Sequence, residues 1–200
     1  ATWFSPVSAA FEFFGDGARF MQDFSLSSEG VEANSISALF IEMPGDNALR
    51  NNSDHFIKRG QLNALCPHCA ATALFTLQTN APAGGVGHRT GLRGGGPLTT
   101  LLQAEPGSSL WHNCWLNVLP RCDFLARVNC DAEKTKLAAR FPWLADIGFT
   151  QKATGETQPM QVHPDQVFWA MPRRIRLLTD ELTPGTCSLC GKAAEQLITH

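Results

Sequence analysis

The stretch that decides the fold is ALCPHCAATALFTLQTNAP, residues 64–82. A Cys-x-x-Cys turn, Cys66-Pro67-His68-Cys69, runs directly into an apolar segment, 70–78, that is short of β-branched residues. That composition predicts a buried helix starting just after Cys69. Asn80-Ala81-Pro82 ends it, because proline cannot continue a helix. The turn also carries chemistry. Two cysteines spaced in this way sit on one tight turn, where both sulfurs can reach the same metal ion, and a second such turn completes a tetrahedral four-thiolate site with zinc–sulfur bonds of about 2.3 Å. The second turn is Cys187-Ser188-Leu189-Cys190-Gly191-Lys192, with the glycine after the last cysteine that a zinc-knuckle turn favours. Compact zinc ribbons separate their two pairs by roughly 15–20 residues. Here the pairs lie far apart in the chain, so zinc bound by Cys66, Cys69, Cys187 and Cys190 would clamp the start of the helix to residues near 190.

A rival chemistry uses the first pair alone. Cys-Pro-His-Cys at a helix N-terminus is the pattern of a thiol–disulfide oxidoreductase, in which the helix dipole lowers the first thiol's pKa. Such a site should follow a buried apolar strand. Residues 60–65 are not strand-like, and the second Cys-x-x-Cys would have no role. Seven cysteines are odd in number and sparse for a disulfide scaffold, which fits metal ligands and free thiols in a reducing cytoplasm. Cys114, Cys122 and Cys130 show no ligand spacing and read as buried small residues.

Outward from this stretch, the chain reads as α+β, irregular and loop-rich, one domain clamped by the four cysteines. Residues 6–24 are rich in Phe and read as short helices or turns, and 42–60 as a long polar loop. Strands are expected over 97–103 and where Ile175, Leu177 and Thr179 alternate with Arg174 and Arg176. Ser108-Ser109 can cap a helix that runs to Pro120, 131–140 reads as a further helix, and 165–170 as one or two helical turns. Residues 148–161 read as a loop. No apolar run approaches the roughly 18–20 residues of a membrane helix, and no signal peptide opens the sequence.

The formal net charge is −2, which on its own argues against a nucleic-acid binder. Its distribution argues the other way. Residues 55–104 hold no Asp or Glu but contain Lys58, Arg59, Arg89 and Arg93, and the acid-free run 166–179 carries Arg173, Arg174 and Arg176. Seven glycines fall within 84–96. No Gly-Lys-Ser/Thr closes this loop, so it is not a P-loop, and residues 85–90 lack the last glycine of a dinucleotide fingerprint. Backbone amides together with His88, Arg89 and Arg93 could instead lie against phosphates or in a narrow groove.

These residues carry a resemblance. Ala64-Leu65-Cys66-x-x-Cys69, Asn80-Ala81-Pro82, Gly91-Leu92-Arg93-Gly94-Gly95-x-Pro97, Phe20-Met21-Gln22, Leu116-Asn117-Val118-Leu119, Phe168-Trp169 and Cys187-Ser188-x-Cys190-Gly191 resemble stretches of CasA, the large-subunit family of the type I-E CRISPR surveillance complex Cascade. The resemblance spans about residues 20–192. It implies part of the family's large N-terminal domain, with the C-terminal four-helix bundle absent from these residues. It further implies a non-catalytic subunit that helps read the protospacer-adjacent motif on double-stranded DNA. Such a subunit contacts the 5′ handle of the guide RNA, binds other Cascade subunits and recruits the helicase–nuclease. Zinc ligands carry over to Cys66, Cys69, Cys187 and Cys190. The groove-facing loop falls on Gly84, Gly85, Val86 and Gly87, flanked by Arg89 and Arg93. Ala83 and Val86 stand where the family pattern has glycine. The RNA-handle loop falls on His55, Phe56, Ile57 and Lys58.

Overall fold

In a computed structural model, residues 4–27, 30, 32–84, 88–94, 101–126, 136–145, 162–180 and 182–200 are described. Among them, six α-helices precede a two-stranded hairpin: α1 Asp46–Arg50, α2 Pro67–Asn80, α3 Leu110–Leu116, α4 Arg121–Ala126, α5 Leu137–Arg140, α6 Gln166–Trp169, β1 Thr183–Thr186 and β2 Ala193–Leu197. Short 3-10 helices cover Ser5–Phe11, Ile36–Leu39 and Pro142–Leu144. The expected α+β, loop-rich class is what this order shows.

The central element is α2. It starts at Pro67, three residues earlier than the apolar run suggests, because Cys66 is extended (φ −68°, ψ 158°) and Pro67 supplies a ready helical φ at the first position. The Cys-x-x-Cys is therefore the first helical turn itself. Cys69, Ala70, Ala73, Leu74 and Leu77 recur at helical spacing and are buried. Around α2 the core takes in Met21, Ile36, Leu39, Leu65, Leu177, Leu197 and Ile198. An aromatic cluster adjoins it. Phe11, Phe20, Phe141, Trp143 and Trp169 meet mostly edge to face, and Trp143 Nε1 donates to Ala10 O at 2.7 Å. The Phe-rich N-terminal run thus packs on residues far downstream in the chain.

β1 and β2 pair antiparallel, with Thr186 opposite Ala193 and Thr183 opposite Leu197. The register shifts between Thr183 and Gly185, where Pro184 offers no ladder N–H. Beyond β2, segment 198–200 joins three distant parts of the chain. Ile198 exchanges both backbone bonds with Leu65 at 2.9 Å, Thr199 O accepts from Ile36 N, and His200 O accepts from Leu178 N.

Several expectations are corrected. Residues 175–179 are not a strand. Their backbone groups bond the loop residue Asp23 (N to Ile175 O, 2.7 Å), the Gln22 side chain (Oε1 from Leu177 N, 3.0 Å) and His200, so no single partner strand forms a ladder. Residues 101–103 are not a strand either, because both backbone groups of Leu102 are taken by the amide of Asn117, at 2.7 and 2.8 Å. Cys114 and Cys122 are exposed, because α3 and α4 do not turn these cysteines into the core. The polar stretch 42–60 contains α1, and of the expected helix 131–140 only α5, Leu137–Arg140, is helical, because Lys136 is extended (φ −64°, ψ 143°) and starts it afresh; residues 131–135, 97–100, Cys130 and 148–161 lie outside the described residues. The capped helix after Ser109 is present, with Ser109 Oγ accepting from His112 N, and 165–170 holds α6.

Candidate metal centre and nucleic-acid interface

The four cysteines converge. The Sγ atoms of Cys66, Cys69, Cys187 and Cys190 all lie within 4.8 Å of one another, and Cys66 and Cys190, 124 residues apart in sequence, are 3.9 Å apart at sulfur. A tetrahedron with metal–sulfur bonds of about 2.3 Å has edges of roughly 3.8 Å, whereas a disulfide needs about 2.05 Å. The set therefore has the spacing of a four-thiolate cage.

Backbone bonds hold this cage from both sides. Ser188 N donates to Ala64 O at 2.8 Å, and Ser188 Oγ accepts from Ala64 N at 3.1 Å. The Leu65–Ile198 bridge lies next to it. Cys187 N donates to Lys192 O, and Gly191 N to Cys187 O. That knuckle bends back through Gly191, whose φ of +70° favours glycine. Burial pushes the Cys187 thiol up, but the amides of Cys190, Cys66 and Leu189 outweigh it and hold it down at about 6. Burial pushes Cys69 the other way, and the three neighbouring sulfurs add to that rise. Four clustered thiolates repel one another, and a divalent cation is what lets all four shed their protons. A set of four cysteine ligands closes the coordination shell and leaves no open position for substrate, so the residues fit a structural ion. They also give the second Cys-x-x-Cys the role that the oxidoreductase reading lacks.

The glycine-rich loop begins at the other end of α2. The last carbonyls of a helix have no partner within it. Here the loop supplies them: Leu92 N donates to Gln78 O at 3.2 Å, Arg93 N to Thr79 O at 2.6 Å and Gly91 N to Ala81 O at 2.6 Å. This explains two of the glycines. A Cβ at Gly91 would come 2.8 Å from Thr79 O and Ala81 N, and one at Gly94 would come 1.9 Å from Ala81 O. They serve close approach to the helix. Closer to Pro82, Gly84 N donates to His88 O at 2.9 Å, tying together the two ends of the segment that contains Gly85, Val86 and Gly87. Those three residues lie outside the described residues. Arg93 is half-buried, its backbone committed to α2, and Arg89 is half-buried with its carbonyl bound by Arg173.

The loop with His55, Phe56, Ile57 and Lys58 stands far from the knuckle in sequence and beside it in space. Phe56 is 100% exposed, and with Ile57, Lys58, Met43 and Ser188 it lines an open cleft. The base of the loop is closed by Arg59, which donates to both Asp54 carboxylate oxygens, at 2.6 and 2.5 Å, and to Asn52 Oδ1 at 3.1 Å. This pair lowers the Asp54 pKa.

The arginine-rich run is used differently from a free basic face. Arg174 pairs with buried Asp23 and donates to Ser25 Oγ, and Arg176 donates to Leu26 O. Arg173 reaches Arg89 O and Pro82 O. Sequence reasoning missed the partners that make this possible. Gln22, Gln78 and Asp23 are polar but buried. The one available signal was a polar residue inside an apolar run, as at Gln78. No helix among the described residues is long and apolar enough to cross a membrane.

The whole chain, residues 1–200, matches the model of the family described as CRISPR-associated protein Cse1. The chain belongs to that family, the CasA-type subunits of the type I-E CRISPR complex Cascade.

Proposed function

We propose that this Cse1-family chain is the DNA-recognition part of a cytoplasmic type I-E Cascade subunit, stabilised by one structural zinc ion on Cys66, Cys69, Cys187 and Cys190. It forms part of the family's large N-terminal domain and is not itself an enzyme. The glycine loop, with Gly84, Gly85, Val86, Gly87, Arg89 and Arg93, helps read the protospacer-adjacent motif from the minor groove of duplex DNA. A backbone without side chains enters where a bulky residue would clash. The loop of His55, Phe56, Ile57 and Lys58 meets the 5′ handle of the guide RNA, and the assembled surface binds other Cascade subunits and recruits the helicase–nuclease. The observation that carries the reading is the convergence of two distant Cys-x-x-Cys turns in a family-matched chain. The fully exposed Phe56 supports the RNA contact, since an unburied aromatic ring offers a stacking face to a single-stranded base.

The test uses Cascade assembled with this subunit. Purified reduced protein should contain one zinc per chain, and Cys187→Ser should lose it. Replacing Gly85 or Gly87 by Phe should reduce affinity for duplexes bearing the correct motif far more than for nonspecific DNA. Each lost base-edge contact costs about 1–3 kcal/mol. Metal-free native protein would remove the zinc assignment, and unchanged motif preference in both glycine variants would place the reading element elsewhere.

A further inference from the structure

We infer that Ser188 is a positioning residue for the metal centre: its amide and its hydroxyl strap the second Cys-x-x-Cys turn to the chain entering the first, so that the four sulfurs are gathered before the ion arrives. The inference rests on the zinc reading proposed above and names the side chain that brings the ligands into register.

The two turns come from distant parts of the chain, so local sequence alone cannot set the spacing between them. Ser188 directly follows the ligand Cys187. Its N–H donates to Ala64 O at 2.8 Å, and its Oγ accepts from Ala64 N at 3.1 Å and from Asn63 N at 3.3 Å. One residue of the knuckle therefore engages three backbone groups just upstream of Cys66. A hydroxyl oxygen carries two lone pairs, so it can answer both amides at once. The chain it grips is itself held on either side. Asn63 Nδ2 donates to Gly60 O at 2.7 Å, and Leu65 exchanges both backbone bonds with Ile198.

Other bonds of the knuckle stay within it. Cys187 N donates to Lys192 O and Gly191 N to Cys187 O, which shapes that turn without reaching the first. Cys66 and Cys69 are spaced by the first turn of α2. Each half of the cage is thus shaped locally, and Ser188 ties one half to the other. Ser188 and Asn63 are exposed, so water can answer the amides if the hydroxyl is removed. The folded state then loses little, and the loss falls on the metal. Apparent affinity drops by the fraction of metal-free molecules that already hold the competent arrangement. Groups that orient metal ligands from outside the coordination shell typically change affinity by about 10–100-fold.

The experiment compares the full chain as wild type, Ser188→Ala and Ser188→Thr under reducing conditions. Zinc affinity and release rate are measured by competition with a chromophoric chelator. Cobalt(II) substitution reports the thiolate ligands by their absorption bands, and melting is recorded for the metal-free forms. Ser188→Ala should still take up one zinc and show the wild-type cobalt spectrum, with affinity lowered roughly tenfold and release quickened. Its metal-free melting temperature should match wild type, and Ser188→Thr, which restores the hydroxyl, should restore the affinity. Should Ser188→Ala fail to fold, amide exchange of the wild type carries the test. The amides of Asn63 and Ala64 should stay protected after chelation, in molecules whose α2 amides stay protected; free exchange there would show that the strap forms only with the ion, and would overturn the inference. Equal zinc affinity in wild type and Ser188→Ala would overturn it and leave the zinc reading intact. So would an equal loss in Ser188→Thr, an altered cobalt spectrum, or a lower metal-free melting temperature, each of which would assign Ser188 to the general fold. Wild type that binds neither zinc nor cobalt would defeat the zinc reading, and the inference with it.

Discussion

At the scale of single residues, the structure separates two kinds of glycine that look alike in sequence. Gly94 packs so closely that a Cβ would lie 1.9 Å from the Ala81 carbonyl, while a Cβ at Gly17 would meet nothing within 4 Å. Gly94→Ala should therefore displace the cap on α2 and cost about 1–3 kcal/mol, and Gly17→Ala should stay within about 0.5 kcal/mol. Urea unfolding of the two variants checks this, and equal midpoints would contradict it. Asp23 allows a second prediction. Burial raises its pKa, but the Arg174 guanidinium and two hydrogen bonds from Ser25 outweigh that and hold it below its ordinary 3.8. A carboxylate whose pKa is lower in the folded state stabilises fully above its unfolded value, and that stability is lost as pH falls through the folded pKa. The advantage of wild type over Asp23→Asn should therefore be constant above about pH 4 and shrink below it. Measuring the difference between the two proteins cancels pH effects at the cysteines, and a gap that widened in acid would refute the assignment.

At the scale of elements, α3 stands outside the core. Trp111 is 71% exposed and meets Trp115 edge to face, and no residue of α3 is buried. The helix is fastened through two amides. Asn113 Oδ1 accepts from Ala104 N, and Asn117 bonds both backbone groups of Leu102. Asn117→Ala should detach residues 101–104 from α3 without global unfolding. The check is faster amide exchange confined to 101–117 with an unchanged melting temperature. A fall in melting temperature would show that α3 belongs to the main cooperative unit. α2 behaves in the opposite way, because both of its ends are tied by distant chain: the cysteine cage at the first turn and residues 91–93 at the last. A short hairpin such as β1–β2 is marginal alone, and its anchors are Ala64, Leu65 and the cysteine cage.

At the scale of the whole molecule, the four-cysteine centre, holding the proposed zinc, would act as a cross-link between parts of the chain 124 residues apart. Closing a loop of that length removes on the order of 4–5 kcal/mol of unfolded-state entropy. For a chain of this size, that corresponds to a melting-temperature difference of roughly 10–20 °C. Removing the metal with a chelator under reducing conditions should lower the melting temperature by that order, and restoring zinc should recover it. A melting temperature indifferent to chelation would mean that backbone bonds around Ser188 and Ile198 suffice. The positive charge also looks different at this scale. Arg173, Arg174 and Arg176 hold the loop, Asp23 and the Leu26 carbonyl. The acid-free run is therefore largely internal scaffolding, and the nucleic-acid contact proposed above would draw its charge from elsewhere, such as Lys58.

The local features were legible in sequence because their causes are local. Two cysteines on a turn, a glycine able to adopt positive φ, an apolar run closed by Asn80-Ala81-Pro82 and a serine cap at 109 are each decided within a few residues, and they placed α2, α3 and the second knuckle. What only the tertiary structure decided is pairing. The alternation at 175–179 reads as a strand because Ile175, Leu177 and Thr179 recur at every second position, and Leu177 is indeed buried. Yet the hydrogen-bond partners are Gln22, Asp23 and His200 rather than a neighbouring strand. A glutamine amide offers the same donor and acceptor as a backbone, so alternation alone cannot reveal which one answers it. Likewise, nothing near Gly91 or Gly94 signals that their bare backbones close against a helix end. That role exists only once α2 has folded and left its last carbonyls without partners.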